Sequence, residues 1–563
     1  MRLTMKTILR TCSLLALLMF SFSCEDSFLD QEVPHRVSAD DLYVDETGFE
    51  IGLNGLYALA RTERSGITSN NNPTGSSNNL MSSMMMGGTD LIYANRPWNA
   101  ERFLNDWGAQ VVGGDAAIYF REVWEWLYET INAANTIITR GEDFVEDIPS
   151  DQQDELATFN RILAEARTIR AWAYRHLTFL WGDVPMPLEE STGLNFRVDW
   201  QRISITDVRA QMKQDLEFGV IHLPQNHIDD GKIVRAVAQH YLTELLIIEG
   251  DFDEAINTAL AAINGPKQLV TARYGENEGD AGTPFTDMFL DGNSNPSQGN
   301  TEALWVFQNG FEIEGGQGHN IMRRWLMSEY SSTSGGSPGL EVTVERGGRG
   351  QTRLSASTFM LDLYGARDVS NNLLVNDDRG GEFAWRTSFT IGEGDPSSAG
   401  AVGSDIFLDF SSIDPLGDRF RPYTRKWDWS HAINVRESRS FNDQIYLRLA
   451  DTYLLLAEAY FKNGDPGNAA FYINALRDRA NATNITAGDI TLDFILDERA
   501  RELFSEEHRR YTLLRNDKWM ERTNLYNTVA AGALTERDEL YPIPQSFIDA
   551  NIDNKVDNNP GYE

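Results

Sequence analysis

The chain has 563 residues, 41% of them hydrophobic and 11% aromatic, and a net charge of −35 from 49 basic and 84 acidic side chains. That composition is globular and excludes global disorder or a coiled-coil rod. So acidic a surface repels phosphate backbones and excludes nucleic acid as a partner, and two cysteines cannot staple a disulfide scaffold. A prior of about 150 residues per domain predicts three or four domains.

The first thirty residues carry a processing signal. Arg2, Lys6 and Arg10 form a basic stretch, Leu14 to Phe20 an apolar one too short to span a bilayer, and Ser21-Phe22-Ser23 leads to Cys24. Bacterial lipoprotein signals place a cysteine at this cut, where its thiol is lipidated. Residues 1–23 are therefore predicted to be removed, with Cys24 the lipid-anchored N-terminus and 24–40 an acidic tether. Cleavage also removes Cys12 and three basic residues, so the mature chain carries −38 and no free thiol. Cysteine nucleophiles and thiolate metal sites are excluded together.

From Leu42 to about Ile263 apolar residues recur at helical spacing, as in Trp124, Leu127, Ile131 and Ala134, then Ile162, Ala166, Ile169, Ala173 and Leu177. Trp181-Gly182-Asp183 before Val184-Pro185 ends one helix. A loop-rich stretch runs from Ser65 to Asp106. Residues 271–440 hold 23 of the 45 glycines and lose the helical period, which predicts a loop-rich insert with short strands such as Ala303–Phe307. Helical pattern returns at Ile445. Around Gly464-Asp465-Pro466 the Leu449, Tyr453, Leu456, Tyr460 face precedes the Ala469, Tyr472, Ile473, Leu476 face. The segment Tyr241 to Ile263 repeats the scheme around Gly250-Asp251. Both have an alanine five residues after the glycine, as in tetratricopeptide helix hairpins.

Catalytic motifs are poorly supported. Gly335-Gly336-Ser337-Pro338-Gly339 fits G-x-S-x-G in letters, but Pro338 lacks the N–H an oxyanion hole needs. His222 and His227 lack a zinc-site context, no nucleotide loop follows a strand, and no cofactor or metal is expected. In Asp497-Glu498-Arg499-Ala500-Arg501-Glu502 we expect structural pairs at i,i+4, Asp497 with Arg501, and likewise Glu506 with Arg510.

The chain resembles the SusD/RagB family, nutrient-capturing surface lipoproteins of Bacteroidetes. The resemblance rests on Cys24 to Asp30, Arg161 to Arg175 with Trp181-Gly182-Asp183-Val184-Pro185, Ile445 to Leu454 with Ala457-Glu458-Ala459, Leu496 to Leu503, Tyr541 to Gln545, and Asn559-Pro560-Gly561-Tyr562. It implies a mainly α fold: tetratricopeptide-like hairpins at about 41–270 and 441–530 form one scaffold, and a partly β insert at about 271–440 completes a single domain, 41–563. It implies a non-enzymatic protein on the outer membrane, facing the cell exterior, with a SusC-like TonB-dependent transporter as partner. Glu25 and Asp26 resemble the surface-export signal of such lipoproteins. The cargo would be an oligosaccharide, with peptide or another nutrient as the alternative and a lipoprotein glycoside hydrolase as a more distant rival.

Sugars offer apolar C–H faces and many hydroxyls, so a tryptophan beside Asn or Arg suits them. In glycan-binding members a Trp and an Asn of the first loop region hold sugar, which by position nominates Trp98 and Asn99, with Arg96 beside them. The insert adds Trp325, Tyr330, Trp385, Trp427 and Trp429, of which Trp427 and Trp429 could share a strand face. Trp124, Trp126, Trp172 and Trp181 are expected in the helical core or at a partner contact.

Overall fold

A computed structural model describes residues 38–65, 86–95, 103–107, 115–313, 315–316, 321–410, 416–437 and 439–562. Two compact units emerge, Met1–Phe49 and Glu50–Glu563. The described part of the first holds helix α1 (Ala39–Leu42), capped by Ser38, whose hydroxyl accepts from the Asp41 N–H at 3.1 Å. Helix α2 is Glu46–Ser65.

The second unit is mainly helical. Helices α3 (Asp115–Asp147), α4 (Gln153–Trp181), α5 (Ile205–His222), α6 (Arg235–Glu249) and α7 (Phe252–Ile263) each pack on the next. Helix α4 lies between α3 and α5, and from Ile162 to Trp181 nearly every residue is buried, polar ones included. It stops at Gly182, whose φ of 72° suits a residue without a Cβ.

Across the insert, helices α8 (Pro284–Asp287), α9 (Ile321–Leu326) and α10 (Thr358–Asp362) are short. The scaffold resumes with α11 (Leu449–Lys462) and α12 (Pro466–Arg479), followed by α13 (Leu492–Leu503), α14 (Arg509–Leu514), α15 (Trp519–Tyr526) and α16 (Gln545–Ala550). Both hairpins read from the sequence form. Gly250 and Gly464 take φ of 82°, and Asp251 and Asp465 cap α7 and α12. Although about 200 residues apart, the hairpins pack directly, α7 and α6 against α11. Ala450, Leu454, Ala457, Ala469, Ile473 and Leu476 make the α11–α12 seam, where small residues let the helices approach.

The strands of the described residues, six of the eight in the insert, form two-stranded pieces. β1 (Ile92–Ala94) pairs with β3 (Leu354–Ala356), β2 (Ala303–Phe307) with β8 (Gln444–Arg448), β4 (Trp385–Arg386) with β7 (Tyr423–Thr424), and β5 (Ser388–Thr390) with β6 (Asp405–Phe407), all antiparallel. Ala303–Phe307 is the strand anticipated. The helix expected from Ile445 begins instead at Leu449: Gln444–Arg448 is extended and wholly buried because β2 offers it a partner.

The i,i+4 ion pairs do not form. Asp497 instead accepts from Arg522 at 2.5 Å, while Arg501 donates to Glu498 at 2.8 Å and to the Leu363 carbonyl at 2.9 Å. Glu506 precedes α14 and bonds Arg448 and Lys426. Arg510 donates to the Asp538 and Glu539 carbonyls and lies 4.0 Å from the Trp519 ring centroid. These charges bind across the molecule because helix α13 is buried, and a buried charge needs partners from several elements. From the insert, Arg379 donates to Glu498 at 2.9 Å and Glu502 at 3.2 Å, and Lys426 donates to the Glu502 carbonyl at 2.9 Å. Arg448 at the end of β8 bonds Glu302 at 2.8 Å and Glu502 at 2.5 Å. Burial alone would raise the Glu502 carboxyl; Arg479, Arg448 and Arg379 together hold it well below the usual carboxylate range.

Candidate functional site

Of the nominated residues, Cys24, Arg96, Trp98 and Asn99 lie outside the described residues. Their neighbour Asn95 is fixed: its amide donates to Ser355 Oγ at 2.8 Å and the Asp418 carbonyl at 2.6 Å.

Four of the five insert aromatics are core. Trp325 and Trp385 are each 1% exposed and Tyr330 fully buried. Arg353 covers the Trp325 ring at 5.1 Å, and the Tyr330 hydroxyl donates to the Gly348 carbonyl at 2.5 Å. Trp385 packs on Phe504 at 5.1 Å. Trp427 is buried, and its indole N–H donates to Ser505 Oγ at 2.8 Å. It ends a 3-10 turn, Arg425–Trp427, so it and Trp429 do not share a strand face. The reason is general. A glycine-rich insert has little aliphatic surface, and large rings reaching the scaffold supply its core.

Trp429 is different. It is half-buried, and its N–H donates to Asp291 Oδ2 at 2.8 Å. His431 lies 6.1 Å from it. Phe311 packs on His431 at 4.3 Å and on Phe441 at 5.2 Å, and Arg439 covers Phe441 at 5.2 Å. Phe311 is 39% exposed and Phe441 half-buried. Sequence reading missed Phe311, His431 and Phe441. Phe311 and Phe441 meet because the β2–β8 pairing runs on past the strand ends, with the Asn309 N–H donating to Asp443 Oδ1 at 2.8 Å and its amide to the Asn442 carbonyl at 3.1 Å. Only the strand partnership would have paired them.

A polar cavity of about 440 Å³ lies elsewhere in the insert, between Glu341, Thr343, Arg346, Arg386, Ser388 and Arg425, among others. Arg346 grips Asp395 with bonds of 2.8 and 2.5 Å, and the Gly392 and Glu341 N–H groups donate to the same carboxylate at 2.7 Å. The Arg346 bond leads in holding the Asp395 carboxyl down at about 2. Arg386 and Arg425 both bond Asp428, the latter at 3.1 Å.

A buried cluster in the scaffold resembles acid–base machinery. His508 bonds Glu63 at 2.9 Å and Arg175 at 2.9 Å, and His176 bonds the Tyr511 hydroxyl at 2.9 Å. The open space beside His508 and Arg175 is about 30 Å³, the share of a single water and far below a sugar ring. Its chemistry is structural: burial lowers His176 despite Glu63 nearby, so it stays neutral, and burial would raise Glu63 were it not for the hydrogen bond from His508 and the nearby Arg64, which hold it down at about 2. Among the described residues no group of carboxylates, histidines and cysteines is arranged to hold a metal ion, and no helix is long and apolar enough to cross a membrane.

Two family models match the chain. One, described as starch-binding associating with outer membrane, covers residues 28–236, and the SusD family model covers residues 411–562; together they span more than half of the sequence, at its two ends. The chain belongs to the SusD/RagB family. Among its SusD-like relatives is SusD-like protein P25 of Formosa agariphila, 26% identical over 517 residues, 88% of each chain. The fold agrees. A SusD homolog from Bacteroides thetaiotaomicron superposes with a TM-score of 0.69 at 17% identity, covering 93% of this chain and 99% of its own. A structure described as a laminarin binding SusD-like protein gives 0.63 at 19%, covering 92% and 99%. The mainly α fold with helix hairpins is thus that of SusD proteins.

Proposed function

We propose that this protein binds an oligosaccharide at the cell surface and passes it, uncleaved, to a SusC-like TonB-dependent transporter, while Cys24 holds it to the outer membrane through lipid. The carrying observation is the part-exposed aromatic face of Trp429, Phe311 and Phe441, bordered by Asp291 and Asn309. Rings take the C–H faces of a sugar, and carboxylates and amides take its hydroxyls. Support comes from the family's described association with the outer membrane and from structural neighbours described as laminarin binding and as a surface glycan-binding protein A of Bacteroides uniformis.

Native electrophoresis through gels containing neutral polysaccharides tests the reading, with product analysis on the same mixtures. The expected result is retarded migration in one or more gels and no released sugar. Unretarded migration in every gel, or release of sugar, would overturn it.

A further inference from the structure

A second cavity, of about 190 Å³, opens where α8 faces the Phe383–Ala384 segment. Arg425 lines both this cavity and the polar one. Its walls are aromatic: Phe285 is buried, whereas Phe289 and Phe383 are half-buried, and Phe383 has no ring partner among the described residues. A reciprocal capping box of Thr283 and Thr286 fixes α8, and with it Phe285 and Asp287.

The polar groups of the cavity define the ligand. Asp287 is fully buried, and its Oδ2 accepts from Arg273 at 2.6 Å and the Tyr274 N–H at 3.2 Å. Its Oδ1 is equally buried and has no hydrogen-bond partner among the described residues. A buried acceptor left unmet is unfavourable, so it calls for a donor from outside. The charges of the lining cancel, Arg273, Arg425 and Lys426 against Asp280, Asp287 and Asp428. Each cation is already engaged: Arg273 also donates to the Asp280 and Asn277 carbonyls, Arg425 to Asp428, and Lys426 to the Glu502 and Phe504 carbonyls. A ligand carboxylate or sulfate would have to compete for them, and an ammonium would find no excess negative charge.

We propose that this cavity is a separate sugar site that takes one uncharged pyranose ring, gripped between Phe289 and Phe383 with a hydroxyl donated to Asp287. Its volume is about six times the ~30 Å³ share of a water, which is room for one ring. The inference rests on the glycan-binding reading above, but it concerns different residues from the Trp429 face.

Saturation-transfer NMR on the intact mature chain tests it, using the methyl glycosides of glucose, galactose, mannose and xylose beside methyl glucuronide and a sulfated methyl glucoside. Two variants accompany the wild type: Phe383→Ala removes a wall, and Ala281→Trp plugs the cavity from an exposed rim position. At least one neutral glycoside should bind, tenfold or more above the charged pair. Both variants should weaken that binding at least tenfold, and Trp429→Ala should leave it intact. No neutral glycoside bound, charged glycosides bound equally well, or binding unchanged in Ala281→Trp would each overturn the proposal. Should oligosaccharides bind through Trp429 while no monosaccharide enters here, this site alone fails. Should no glycan bind anywhere, the functional reading fails with it.

Discussion

Trp429 and Trp427 show how little separates a binding tryptophan from a structural one. Two residues apart, one is closed off by its bond to Ser505 and the other, held by Asp291, stays at the surface. In sequence both are tryptophans in or beside a glycine-rich region, which is why four of the five aromatics nominated there, Trp325, Tyr330, Trp385 and Trp427, turn out to be core. If Trp429 stacks on sugar, Trp429→Ala weakens oligosaccharide binding about tenfold or more, some 1.4 kcal/mol, with thermal stability unchanged; isothermal titration and a melting curve check both.

A histidine supplies a pH prediction at the same scale. Burial drives His240 down to about 4, against the pull of Asp451 and Glu244 and with Arg175 and Arg499 opposing its charge. The unfolded chain therefore binds a proton near pH 6.5 that the folded chain refuses until about pH 4. Stability from this group is complete above about pH 6.5 and is lost as pH falls towards 4, by about 3 kcal/mol. Denaturant titrations at pH 7.5 and 5 should show the loss, and His240→Gln should make it smaller by this group's share, leaving the share of the buried His176.

Among the elements, the hairpins were legible and the insert was not. Gly-Asp turns, a 3.6-residue period and the alanines after the glycine are local signals, and α6–α7 and α11–α12 follow them. The β2–β8 ladder joins segments more than 130 residues apart, so Ile445 could only be read as part of the helix it precedes. The charges of α13 misled for the same reason, since local spacing suggests i,i+4 pairs whereas the partners come from Arg379, Arg448 and Arg522. Two variants test these elements. Ala457 is fully buried in the hairpin seam, so Ala457→Leu should destabilise by about 1–3 kcal/mol through overpacking. Arg379→Met leaves Glu498 and Asp377 short of a cation and should cost about 3–5 kcal/mol. Chemical denaturation reads both.

For the molecule as a whole, the length prior of several domains gives way to one unit from Glu50 to Glu563, in which helices from both ends of the chain pack together and carry the insert. The net charge of −35 fits a body that meets uncharged ligands, and the neutral lining around Asp287 is the local counterpart. Anchoring is predicted to depend on one thiol: Cys24→Ser should move the protein from the membrane pellet to the soluble fraction.

The central claim is capture without cleavage on the Trp429 face. Isothermal titration of the mature chain and of Trp429→Ala against one panel of neutral oligosaccharides, with the cell contents then assayed for new reducing ends, tests it most directly. The account predicts a saturable ligand, a tenfold or greater loss in the variant, and no new reducing ends. Equal affinity in the two proteins, or a growing yield of shorter sugars, would contradict it.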